Sequence, residues 1–118
     1  MKNGVLGENY AEKLLIQKGF SILERNFHSR YGEIDIIAAN DEFIVFAEVK
    51  TRAANSVYRP AEAVTVSKQQ KIIKTAQSYL LRFETDLQPR FDVIEIITAS
   101  KNDFVVIEEA HIENAFGA

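Results

Sequence analysis

Asp35, Glu48 and Lys50 are the residues of this chain whose types and spacing point to chemistry. They lie in two runs, Gly32-Glu33-Ile34-Asp35-Ile36-Ile37 and Phe46-Ala47-Glu48-Val49-Lys50-Thr51-Arg52. Both runs read as β-strands, and side chains on a strand alternate between faces. Glu48 and Lys50 therefore project from one face while Val49 points to the other. Asp35 belongs to the preceding strand, which a short turn at Asn40-Asp41 joins to the next as an antiparallel hairpin. Two carboxylates and an ammonium are thus expected to converge at one edge of a sheet.

Such a convergence is unfavourable unless something uses it. Neighbouring carboxylates repel, and both lose solvation on burial. A divalent cation relieves the repulsion. Mg²⁺ takes hard oxygen ligands, keeps several waters and needs only one or two protein carboxylates. Asp35, Glu48 and the backbone carbonyl of Val49 are its candidate ligands, with Mn²⁺ as a substitute. The ion would acidify a water and stabilise charge growing on a phosphoryl oxygen. Lys50 would orient that water or stabilise the phosphate electrostatically. The bland alternative is a salt bridge from Glu48 to Lys50 or Arg52 at an exposed strand end. E-x-K alone is common, but a buried apolar strand that ends in E-V-K and pairs with one bearing G-E-I-D is not.

The elements that must hold these groups follow from the apolar pattern. Leu6, Ala11, Leu14 and Leu15 fall at helical spacing between Gly4 and Lys18, and Gly19 ends that helix. Phe20 to Phe27 reads as a strand. Gly32 to Ala39 is the next, with Ile34, Ile36 and Ala38 on one face, and Phe43 to Lys50 is the third. A loop from Thr51 to Pro60 follows. Ser67 with Gln70 forms a capping-box pattern ahead of a helix whose stripe is Ile72, Ile73, Ala76, Tyr79, Leu80 and Phe83. Arg90 to Thr98 and Asp103 to Glu108 are two further strands, and His111 to Ala118 is a tail, a short helical turn or frayed. The second helix bridges strands three and four, which makes those two parallel neighbours joined by a crossover. The expectation is one α/β domain over residues 1–118, with 1–110 as core and 111–118 as tail. Its single mixed sheet would have about five strands flanked by helices.

Composition narrows the class. At 118 residues with 47% hydrophobic content, the chain suits one domain with a real core. It has no cysteine, which excludes disulfides and thiolate zinc sites. No signal-peptide pattern or membrane-length apolar run is visible, so the expected location is the cytoplasm, with no membrane partner. The net charge of −3 hides a segregation. Val49 to Phe83 carries seven basic residues and one acid, while Glu84 to the end carries eight acids and two bases. Arg52, Arg59, Lys68, Lys71 and Lys74 are candidates to line a basic approach for nucleic acid. Ordinary solvated lysines on a helix are the equal alternative.

Gly7-Glu8, Glu24-Arg25-Asn26, Gly32-Glu33-Ile34-Asp35, Glu48-Val49-Lys50-Thr51-Arg52 and Arg90-Phe91-Asp92 together resemble the YraN-like family of predicted endonucleases. The resemblance covers nearly the whole chain. That family is similar to the Holliday-junction-resolvase branch of the PD-(D/E)XK nuclease superfamily. The resemblance implies a restriction-endonuclease-like fold and Mg²⁺-dependent phosphodiester cleavage, with DNA as the expected substrate and branched DNA one candidate; DNA versus RNA, and junction, flap or duplex, stay open. It matches Asp35 to the first metal-binding acid, Glu48 to the second and Lys50 to the lysine. Ile34 stands where the superfamily has proline. The resemblance also implies a glutamate from the first helix at the site. Glu8 and Glu12 share a helix face, and Glu8 fits the pattern better.

The remaining polar residues have plainer readings. Glu33 has a site role or pairs with Arg25 or Arg52. Arg25 and Asn26 contact phosphate or fix the first hairpin. His28 and His111 are surface or capping residues, and Tyr10, Tyr31 and Tyr58 pack at the core or rim. Arg90 and Asp92 form an internal pair. The rivals to a nuclease are a non-catalytic nucleic-acid-binding module of the same fold and a nuclease subunit that needs a partner. Monomer and homodimer are both open.

Overall fold

The strand that carries Glu48 is the centre of the molecule. The computed structural model describes residues 3–55 and 64–117. Its elements are α1 (Asn3–Gln17), β1 (Ser21–Ser29), β2 (Gly32–Ala39), β3 (Phe43–Ala53), α2 (Val66–Arg82), β4 (Gln88–Thr98) and β5 (Val106–Phe116). The strands form one sheet in the order β1-β2-β3-β4-β5. β3 pairs antiparallel with β2 and parallel with β4, and α2 makes the crossover. The expected fold class holds: α/β, a single mixed five-stranded sheet with a helix on each face, consistent with a restriction-endonuclease-like fold.

Alternation along β3 builds two cores. Val45 and Ala47 pack with Ile36, Ala38, Ala11 and Leu15 on the α1 face. Ile44 and Phe46 pack with Ile34, Ile37, Ile72, Ala76 and Tyr79 on the α2 face. Each fully buried Leu, Ile or Phe contributes roughly 1.5–3 kcal/mol, so the two layers fix the register of β3. A one-residue slip would exchange the faces of Glu48 and Val49.

Four local readings differ from the sequence expectation. Ile34 faces α2 while Ile36 faces α1, so alternation breaks at Asp35. Across from it, between the pairs Arg25–Ile36 and Phe27–Ile34, Asn26 adopts φ 52°. Asparagine tolerates that left-handed backbone better than most residues. The cap of α2 is Thr65, not Ser67: its side chain accepts a hydrogen bond from the Lys68 N–H at 3.2 Å. The third strand continues past Lys50 to Ala53. Finally, β5 begins inside the expected fifth strand, Asp103 to Glu108, and runs on through most of the expected tail to Phe116 as an edge strand whose backbone pairs antiparallel with β4. Its exposed residues mix acids with Ile107 and Ile112, so no clean apolar alternation marks it.

Gly7 ties α1 to the end of β3. A β-carbon at Gly7 would stand 2.0 Å from Thr51 Oγ1. Gly7→Ala is therefore expected to cost about 1–3 kcal/mol through overpacking, measured by urea unfolding. Thr51→Ala in the same chain should recover most of the loss. Simple additivity of the two changes would contradict this contact.

Candidate active site

β2 and β3 separate where the acids lie. Their pairing runs from Ile36–Ala47 to Ala39–Ile44 and does not include Asp35 or Glu48. Asp35 closes the gap with its side chain: Oδ2 accepts a hydrogen bond from the Val49 N–H at 2.8 Å. Glu48, one residue before Val49, turns to the α2 face, and its side chain is 5% exposed. The Asp35 carboxyl is close enough to act on its charge. Lys50 Nζ is 3.9 Å from Glu48 Oε1. Asp35, Glu48 and Lys50 therefore converge as expected from alternation and the hairpin.

The electrostatics show what the convergence does. Burial, and then the neighbouring Asp35 carboxyl, push Glu48 up to about 8 despite Lys68 and Lys50 beside it. Burial also draws Lys50 below the usual lysine range, and the neighbouring Lys68 adds to this. Burial works against the Lys68 ammonium too, but the carboxylates of Glu48 and Asp35 outweigh it and hold that ammonium above its usual range. Lys68 is thus the cation the paired acids favour, while burial prevails at Lys50.

Glu48 Oε2 is buried and has no hydrogen-bond partner among the described residues. A buried oxygen without a donor is costly, and a hard cation would satisfy it. The donor set fits Mg²⁺, which takes carboxylate oxygens and fills the remainder with water. Among the described residues no group of three His, Cys, Asp or Glu is placed to hold a metal, so protein ligation would rest on the pair. Val49 reaches Asp35 through its N–H, a second contact beside the carbonyl considered from the sequence.

The other expected residues are placed differently. Glu8 is on α1, paired with Arg25 at 3.3 Å rather than joined to the Asp35–Glu48 pair. Arg25 also meets Glu12 at 3.3 Å and Asn9 at 3.1 Å. In the orientation that satisfies both neighbours, the Asn26 amide donates to Glu33 at 2.8 Å and to Glu8 at 3.2 Å. Glu33 also faces His28 at 3.8 Å, in place of the arginine partners expected. Arg52 follows the site along β3 and donates to the Thr51 carbonyl at 2.8 Å. Lys71 and Lys74 are exposed on α2, and Lys74 lies 5.5 Å from the Tyr31 ring centroid. Arg59 and Tyr58 lie outside the described residues.

Sequence reasoning placed Lys68 on the basic face of the helix but missed its position at the acids. Its Nζ is 3.6 Å from Glu48 Oε1. The signal was the crossover: α2 returns over β3, so the first turn of α2 lands above the C-terminal end of that strand. His111 was also missed. Its buried side chain reaches Asp92 at 2.7 Å.

Residues 7–96 match the model of a family described as uncharacterised protein family UPF0102. A UPF0102 protein of Clostridium tetani is 50% identical over 101 residues, covering 85% of this chain and 83% of its own. One from Caldanaerobacter subterraneus subsp. tengcongensis is 45% identical over 115 residues, covering 96% and 93%. One from Campylobacter fetus subsp. fetus is 47% identical over 91 residues, covering 77% and 80%. The matched span holds Glu8, Asp35, Glu48, Lys50 and Lys68, and with identities of this size over most of both chains, this chain belongs to the UPF0102 family, the YraN-like group.

Proposed function

We propose that this chain is a Mg²⁺-dependent endonuclease that hydrolyses nucleic-acid phosphodiester bonds, with DNA as substrate and branched DNA among the forms to test. The observation that carries the reading is the buried Glu48 carboxyl, set against Asp35 with one oxygen unpartnered. Asp35 and Glu48 would hold the ion. Bound there, it would supply Lewis-acid chemistry, acidifying a water and drawing charge from the phosphoryl group. The Val49 N–H fixes the Asp35 carboxylate, so its geometry does not have to be found at the moment of reaction. Lys50, with a side chain 12% exposed, holds a proton donor in a fixed, largely dry position beside Glu48. Arg52, Lys71 and Lys74 would meet flanking phosphates, and Arg25 and Arg59 remain candidates for the same work. Among the described residues no helix is long and apolar enough to cross a membrane.

The test uses labelled linear duplex, flap, single-stranded and four-way-junction substrates with Mg²⁺ or Mn²⁺. The wild type should cut at least one. Asp35→Ala, Glu48→Ala and Lys50→Ala should each remove divalent-dependent cleavage in folded protein. Lys50→Arg should fail too, because a planar guanidinium cannot place one donor where the ammonium stands. Wild-type cleavage by folded Glu48→Ala would overturn the mechanism.

A further inference from the structure

We propose that Lys68 is a second catalytic lysine of this site, contacting the scissile phosphate from the α2 side, and that the cleft it lines takes the neighbouring phosphate of the same strand. The proposal deepens the endonuclease reading and rests on it.

Two lysines reach Glu48 Oε1 from different elements, Lys50 at 3.9 Å from β3 and Lys68 at 3.6 Å from α2. Their surroundings differ. The Lys50 side chain is 12% exposed and that of Lys68 is 41% exposed. Lys68 therefore faces both the acids and solvent. On its open side is a cleft of about 240 Å³ between the end of the β1–β2 hairpin, at Gly32 and Glu33, and the first turn of α2, at Ser67, Lys68 and Lys71. Glu33 is the acid of that wall, and it is engaged by Asn26 and His28. Lys71 is exposed one helical turn from Lys68, on the same side of α2. Beyond it, Lys74 and Arg30 flank the Tyr31 ring at 5.5 and 5.0 Å. The cations thus form a line from Glu48 outward: Lys68, Lys71, Lys74. Successive backbone phosphates need such a line, and a single structural salt bridge to Glu48 does not.

In the hydrolysis a water oxygen bonds to phosphorus and gives up a proton to solvent, the bond from phosphorus to the leaving sugar oxygen breaks, and that oxygen takes up a proton from solvent. Lys68 transfers no proton in this role. Its ammonium holds charge on a non-bridging oxygen of the scissile phosphate, where a preorganised donor typically changes a rate by about 100-fold or more. It also anchors the strand, so part of its effect appears in binding.

Fluorescence anisotropy with a fluorescein-labelled flap duplex in EDTA, over a range of salt, measures the binding role. Single-turnover cleavage of that duplex at saturating protein with Mg²⁺ or Mn²⁺ measures the catalytic one. Lys68→Ala should lower the slope of log affinity against log salt by about 0.7–1 and slow cleavage at saturation by roughly 100-fold. Lys68→Arg should keep the salt slope and recover part of the rate. Lys13→Ala, on α1 at the opposite face of the sheet, should change neither. An unchanged salt slope in Lys68→Ala overturns the cleft assignment, and a wild-type rate at saturation overturns the catalytic role while leaving the endonuclease reading intact. Absence of cleavage by the wild type overturns that reading and the catalytic role together, whereas the salt slope still decides the cleft.

Discussion

Glu48→Gln is expected to make the metal-free protein more stable than wild type above pH 8, by an amount on the order of 3 kcal/mol. Burial and the Asp35 carboxyl raise the folded-state value of Glu48 from 4.5 to about 8. Between those two values the folded chain binds a proton that the unfolded chain has released. The contribution of Glu48 to wild-type stability is therefore fully present below about pH 4.5 and is lost as pH rises through about 8. Glutamine keeps the size of the side chain and carries no charge, so this decline should be missing from the variant. The reading is a pair of urea-unfolding series in EDTA from pH 5 to 9. Parallel pH profiles for the two proteins would show that Glu48 is not strained. Wild type losing stability on glutamine substitution at pH 8–9 would show that its salt bridges outweigh its burial.

Asp92→Ala is expected to cost about 3–5 kcal/mol, a large share of the ~5–15 kcal/mol that holds a domain of this kind. Asp92 is fully buried and accepts four hydrogen bonds. Arg90 supplies two, at 3.0 and 2.9 Å, His111 one at 2.7 Å, and the Asn114 N–H one at 2.9 Å. Lys18 completes the chain at 2.8 Å from His111 Nδ1. Lysine can only donate, so His111 accepts at Nδ1 and donates from Nε2. Burial opposes the Asp92 carboxylate, but His111, Arg90 and the Asn114 N–H outweigh it and hold the group below its usual range. Its contribution is present above the unfolded-state value of 3.8 and is lost as pH falls through the lower folded-state value. Removing the carboxylate takes two hydrogen bonds from Arg90, which is buried between Phe20 and Phe43 with its Cζ 5.6 and 4.6 Å from their ring centroids, and leaves it the half-exposed Glu113 at 3.2 Å. Asp92 also joins β5 to β4, so the edge strand should loosen first. Hydrogen exchange should show faster exchange of the Ile112 to Asn114 amides in the variant. A melting curve indistinguishable from wild type would contradict the assignment.

Much of this was legible in the sequence because burial enforces it. Alternation along Phe43 to Lys50 put Glu48 and Lys50 on one face, and the two-sided core of β3 fixes that register. The short Asn40-Asp41 turn fixed the hairpin that brings Asp35 near. The break at Asp35 was not legible, because it depends on Asn26 adopting a left-handed backbone in the opposing strand. The end of β5, from His111 on, was read as a tail because it is held by backbone pairing and by the buried Asp92–His111 contact, which leave no apolar period. A lone histidine carries no mark of burial. Lys68 was visible only as one basic residue among several on its helix. The parallel crossover decides which of them stands over Glu48, and its exact landing is a property of packing rather than of spacing.

Thermal melts of wild type and Asp35→Asn, each in EDTA and in excess Mg²⁺, test most directly whether Asp35 and Glu48 are a metal site. Asparagine keeps an acceptor for the Val49 N–H and removes one of the two opposed charges. In EDTA the variant should therefore be at least as stable as wild type. Mg²⁺ at ten times its dissociation constant stabilises a native-state site by about 1.4 kcal/mol, which should raise the wild-type melting temperature by several degrees and leave the variant where it was. A destabilised Asp35→Asn in EDTA, together with a wild type that does not respond to Mg²⁺, would contradict the metal site and the endonuclease reading built on it.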